Sequence, residues 1–194
     1  VTEEFVIHTG NTGSGGDTQL GPGGAPISPI SQDLSDLRVN ALTLSAQAQS
    51  LPVTQTFGKI DAPTTISASA ADGLNVITIN EVSLSGGAVL TISGGAGDYF
   101  VLNVETKVSM SGGSSWVLSG GLSPSNVIIN MLPGSSDFKG TGSSASLTGG
   151  IILAPHPSNK VTLTGSSQIR GAIIAGSEFT ATGGSQVVGD ACGS

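Results

Sequence analysis

Two apolar patterns alternate along the chain from about residue 53. One is a strict period of two, as in Val82-Ser83-Leu84-Ser85. It turns apolar side chains to one side of a strand and hydroxyls to the other. The second is a continuous apolar run: Val76-Ile77, Phe100-Val101-Leu102, Val127-Ile128-Ile129, Ile151-Ile152-Leu153 and Ala172-Ile173-Ile174. Runs of that kind suit strands covered on both faces. Their first residues are 24, 27, 24 and 21 positions apart.

The alternating segments repeat as well. Val82 to Gly95 recurs as Val108 to Gly121, more loosely as Asp137 to Gly150, and in shortened form from Val161 and from Phe179. One such unit cannot bury its own apolar face, whereas stacked units share a continuous core. The expected fold is therefore all-β with one flanking helix: a β-solenoid (β-helix) of about five to six rungs. Glycine pairs such as Gly86-Gly87 end the alternating strands and supply corners where φ is positive.

Ahead of the repeats, Leu34, Leu37, Ala41, Leu44, Ala48 and Leu51 recur at steps of three and four and predict a helix over 31–51. Ser31 is a natural N-cap, Asp33 and Asp36 suit the positive end of the helix dipole, and Pro52 closes it. Its Leu/Ala stripe is expected to lie along the solenoid face made of the continuous apolar runs. Helix (31–52) and solenoid (53–194) then form one domain.

Residues 1–30 are an arm. Phe5-Val6-Ile7 reads as a short strand, and the Gly- and Pro-rich run from Thr9 to Pro29 reads as a flexible linker. A solenoid leaves unpaired strand edges at its ends, and a tethered strand is suited to such an edge on a neighbour. Head-to-tail contact of that sort does not close and builds fibres.

Composition narrows the function. In 194 residues there are 30 glycines and 10% charged residues, with a net charge of −7. Six Lys and Arg against thirteen Asp and Glu disfavour nucleic acid and anionic membrane surfaces as partners. No apolar stretch approaches the ~20 residues of a membrane span. The single cysteine, Cys192, allows no internal disulfide; it is an idle tail residue or a link to another chain. A first residue Val1 and few lysines fit an exported protein, secreted or at the cell surface.

Catalytic chemistry finds little support. His8 and His156 are far apart in sequence and lack further ligands at metal spacing, so no metal or cofactor is expected. Asp98, Glu105 and Glu81 are expected to be able to approach one another across neighbouring rungs, but one Trp and one Tyr do not furnish the aromatic platforms of a polysaccharide-cleaving groove. The stronger surface signal is hydroxyl. Ser83 and Ser85, Ser109 and Ser111, Lys139 and Thr141, Thr162 and Thr164, Thr180 and Thr182 are predicted to stack as two outward columns, broken by Lys139.

The ordered strings Gly73-Leu-Asn-Val-Ile77, Asp98-Tyr-Phe-Val-Leu-Asn-Val104, Val127-Ile-Ile-Asn130, Gly150-Ile-Ile-Leu-Ala-Pro155 and Gly171-Ala-Ile-Ile-Ala-Gly176 resemble the choice-of-anchor A domains of bacterial surface proteins. The resemblance covers residues 31–189 and leaves the arm outside. More distantly the chain resembles ice-binding proteins in which a long helix flanks a β-solenoid. It implies an exported adhesive or structural module and carries over no catalytic residue. The leading expectation is thus a non-enzymatic extracellular protein that assembles end to end through Phe5, Val6 and Ile7 or holds a surface glycan. Ice binding through the hydroxyl face is the alternative, and polysaccharide binding or cleavage the third reading.

Overall fold

A computed structural model describes residues 31–189 apart from 136, 143 and 144. It is an all-parallel solenoid of thirteen strands behind one helix, α1 (Ser31–Ser50). The strands are β1 (Gln55–Ile60), β2 (Thr64–Ser67), β3 (Leu74–Leu84), β4 (Val89–Ser93), β5 (Tyr99–Met110), β6 (Ser115–Ser119), β7 (Val127–Met131), β8 (Phe138–Gly140), β9 (Ser146–Ala154), β10 (Lys160–Leu163), β11 (Gln168–Ala175), β12 (Glu178–Ala181) and β13 (Gln186–Val188).

The register divides them among three faces. On the first, β1, β3, β5, β7, β9 and β11 stack in order. The second is β1, β3, β5, β8, β10 and β12, and the third is β2, β4, β6, β9, β11 and β13. Long strands bend from one face to the next, and register shifts at Ile79/Glu81 and Arg170/Ala172 mark corners. Among the described residues each face is six strands deep, and they make about five turns.

Period-two patterning builds the interior. Ile77, Leu102, Ile129 and Ile152 stack inward from the first face; Val82, Val108, Phe138 and Val161 from the second; Leu90, Trp116, Leu147 and Ile169 from the third. All are essentially inaccessible. One corner depends on glycine: Gly86, Gly112, Gly142, Gly165 and Gly183 each have a positive φ, and a Cβ on Gly165 would sit 3.0 Å from Gly142. Only a residue without a side chain meets both the backbone conformation and that approach.

The helix covers the first face, as its position in sequence suggests, but with only part of the expected stripe. Leu37 and Leu44 are 49% and 41% exposed, while Ala41, Ser45 and Ala48 are buried. Small residues let the helix lie close to the sheet, and large ones are left to its flanks. Ala48 and the half-buried Leu51 pack on Val76 and Val101.

Candidate functional site

The covered face holds a polar seam that sequence reasoning missed. Asn103 and Asn130 are adjacent on β5 and β7, and both point out of the solenoid core toward the helix. Asn103 Nδ2 donates to the Ala48 carbonyl at 3.1 Å. That carbonyl has no helical donor of its own, because the residue four positions on is Pro52. Asn130 Nδ2 donates to the Ser45 carbonyl (3.1 Å) and to Asn103 Oδ1 (2.8 Å). The Ser45 hydroxyl donates back to Asn130 Oδ1 at 2.6 Å. His156 Nε2 lies 3.3 Å from Ser45 Oγ, and since the Ser45 proton is engaged by Asn130, the ring N–H is the donor. Burial lowers the His156 pKa below its usual value. The signal was present: an Asn in the same place in two apolar runs, Phe-Val-Leu-Asn and Val-Ile-Ile-Asn.

A Ser–His contact invites a catalytic reading, which this geometry does not support. Ser45 is 1% exposed and its proton points to an amide oxygen, so its oxygen is neither accessible nor activated by the imidazole. The carboxylates are also scattered. Asp98 binds the Gly95 N–H at the corner before β5 (2.7 Å), and Glu105 lies seven residues of extended chain, about 23 Å, further on. Glu81 is held by Lys107 at 3.4 Å. Asp98 therefore does not join Glu105 and Glu81, which flank the same corner on neighbouring rungs. Among the described residues no three His, Cys, Asp or Glu gather as a metal site.

The second face carries charge in register. Lys59 pairs with Glu81, Glu81 with Lys107, and Lys160 with Glu178. Asp137 precedes the Phe138 that aligns with Val108 and Val161, so it falls between Lys107 and Lys160. The column reads plus, minus, plus, minus, plus, minus along the whole solenoid. Ion pairs close it at 3.4 Å (Lys107–Glu81), 2.9 Å (Lys160–Glu178) and, from the next column, 2.8 Å (Lys139–Asp137). Its bond to Glu178 raises the Lys160 pKa, and the same bond lowers that of Glu178.

Beside this ladder stand the sequence-predicted hydroxyls. Ser83, Ser109, Lys139, Thr162 and Thr180 align strand by strand, and Ser85, Ser111, Thr141, Thr164 and Thr182 follow them at the strand ends. Phe5, Val6, Ile7, His8 and Cys192 lie outside the described residues.

The third face presents a different surface. Its outward columns are Thr65, Thr91, Val117, Thr148, Arg170 and Val188; Val89, Ser115, Ser146, Gln168 and Gln186; and Ser67, Ser93 and Ser119. Arg170 is the only charged residue among them. Rungs repeat about every 4.8 Å along the stack, and outward residues about every 6.7 Å along a strand. Over β2, β4, β6 and β9 the result is a neutral grid of hydroxyls and methyls. Sequence alone does not show these columns, because the strands that form them differ from rung to rung and align only through hydrogen-bond register.

The family model described as "Putative Ice-binding-like adhesive domain" matches residues 3–187. The match begins ahead of the helix, so the arm falls inside the family pattern and not outside it, as expected from the choice-of-anchor A resemblance. Among solved structures, the chain is similar to an ice-binding protein from Arctic yeast, with a TM-score of 0.67 and 21% identity over 84% of this chain and 65% of that one. It is also similar to ice-binding proteins from the Antarctic ascomycete Antarctomyces psychrotrophicus (0.57, 20%, 82% and 73%) and from an Antarctic biological consortium (0.60, 19%, 79% and 65%). The chain thus spans about two thirds of the Arctic yeast protein. At these identities the similarity is one of fold. No curated protein matches.

Proposed function

The chain belongs to the ice-binding-like adhesive domain family, and from that premise we propose that it is a non-enzymatic extracellular module that adheres to ice through its third face. The observation that carries this reading is the contrast between the two uncovered faces. On the second face each charge holds its own hydration shell, and those shells do not share a lattice. On the third, uncharged hydroxyls and methyls repeat at fixed spacings over β2, β4, β6 and β9, so the water they order is ordered as a sheet. The sheet is stiff because every strand is hydrogen-bonded to its neighbours, and no reorganisation is needed on binding.

Ice partitioning tests it. The domain is expected to enrich in slowly grown ice and to produce thermal hysteresis. Thr91→Tyr, which breaks the grid at its centre, removes both, whereas Ser109→Tyr on the charged face removes neither. Exclusion of the unaltered domain from ice would sink the reading, and equal loss from Ser109→Tyr would move the contact to the second face. Fibre growth through the arm requires the arm to be free for a neighbour. Light scattering of the domain across a dilution series tests for it.

A further inference from the structure

We propose that the second face docks a second copy of this chain, side by side and antiparallel about a two-fold axis. It uses no residue of the third face and stands apart from the ice reading.

Charge is spread unevenly over the molecule. All four lysines, Lys59, Lys107, Lys139 and Lys160, lie on the second face. Each is within 4.0 Å of a carboxylate of Asp61, Glu81, Asp137 or Glu178. Four of the chain's six basic residues and four of its thirteen acidic ones are thus gathered here, and the net charge of −7 falls on the rest. Two such chains approach more easily through a neutral face than through their acidic remainder. The third face is uncharged over β2, β4, β6 and β9, but it offers no charges there to select a partner's orientation.

The order of charges makes that selection. From β1 to β12 the column reads Lys59, Glu81, Lys107, Asp137, Lys160, Glu178. An alternating column of even length, reversed, is its own complement. A two-fold axis in the plane of the face and perpendicular to the stack reverses the column and keeps it over itself. Lys59 then faces Glu178, Glu81 faces Lys160 and Lys107 faces Asp137, each pair formed twice. A parallel copy in register would set lysine on lysine, and one shifted by a rung would leave an unmatched charge at either end. The neighbouring column obeys the same operation. Asp61, next to the Ile60 that aligns with Val82, meets Thr180; Ser83 meets Thr162, and Ser109 meets Lys139. No like charges are opposed.

Reach and area agree with a weak dimer. The side chains of Lys59, Lys107 and Lys160 are about half exposed, and an ammonium has three donors, so each can bond across the interface as well as along its own face. Five steps of about 4.8 Å by two of about 6.7 Å, with side chains, give roughly 500 Å² per copy. That is the low end for a specific interface, and it sets a reversible pair.

Sedimentation equilibrium of the full chain tests the proposal at about 0.1 M salt, where charges more than about 10 Å apart are screened and opposed pairs are not. The mass is expected to rise with concentration from one copy to two and no further, with half-conversion on the order of 100 µM. Lys107→Glu and Asp137→Lys each oppose like charges twice, and each is expected to need at least about tenfold more protein to pair. Mixed in equal amounts, the two variants regain the dimer, because every opposed position again carries opposite charges. A folding defect in either chain is not repaired by mixing. If one variant fails to fold, Glu81→Lys mixed with Lys160→Glu makes the same test at the neighbouring pair. A chain that stays monomeric to about 1 mM, well above the expected midpoint, overturns the proposal. So do single variants that pair as the unaltered chain does, or a mixture that stays monomeric. Growth beyond two copies, unaffected by the substitutions, also overturns it and assigns assembly to the ends of the solenoid.

Discussion

Ser45 and Asn130, 85 positions apart in sequence, exchange two hydrogen bonds across the helix–sheet boundary: hydroxyl to amide oxygen at 2.6 Å and amide nitrogen to helix carbonyl at 3.1 Å. Both residues are buried, so each bond satisfies a group that water cannot reach. The pair fixes how far α1 slides along the solenoid, which apolar contact from Ala41 and Ala48 alone does not.

Asn130→Ala removes three bonds and leaves the Ser45 hydroxyl and the Asn103 amide oxygen without their partner. The expected loss is about 2–4 kcal/mol, measured as a lower urea midpoint. Ser45→Ala removes one donor and is expected to cost about 1–2 kcal/mol.

Two glycines separate backbone strain from steric approach. Gly113 and Gly120 have φ of +76° and +77°, but a Cβ meets nothing within 4 Å at Gly113 and lies 2.6 Å from the Gly94 carbonyl oxygen at Gly120. Gly113→Ala is expected to cost about 1 kcal/mol, the left-handed penalty alone. Gly120→Ala is expected to cost at least about 2 kcal/mol more, since two rungs must part. Thermal unfolding of the two variants side by side checks this.

Lys107→Glu places a third negative charge between Glu81 and Asp137 in the ladder. The expected destabilisation is about 1 kcal/mol at low salt, shrinking as salt is added. Charge-independent loss, equal at low and high salt, would show that the column is a consequence of the fold and contributes nothing to it.

The His156 pKa is lowered in the folded state by burial, so the unfolded chain binds this proton more readily. The stability it permits is therefore complete above the ordinary histidine value of about 6.5 and declines as pH falls below it toward the folded value. Glu178, held down by Lys160, keeps its contribution above the ordinary carboxylate range and loses it only as pH falls through its lowered value. His156→Gln is expected to flatten the stability profile just below pH 6.5 and to leave the more acidic limb unchanged.

The rung was determined by the chain itself. Val82 and Leu84 alternating with serines and closed by Gly86-Gly87 specify an alternating strand and a corner, and Phe100-Val101-Leu102 a covered strand, because side-chain period and backbone freedom are local properties. The helix was equally local, closed ahead of its proline. What local pattern does not carry is which residue of one rung sits beside which residue of the next. The ladder residues Lys59, Glu81, Lys107, Asp137, Lys160 and Glu178 are 22, 26, 30, 23 and 18 positions apart. Corner loops of unequal length hide their alignment until hydrogen-bond register sets it. The same holds for the neutral grid, and for Ser45, whose polar side chain lies off the predicted Leu/Ala stripe. Only the stacked sheet, which brings Asn130 to it, decides that this serine faces inward while Leu44 faces water.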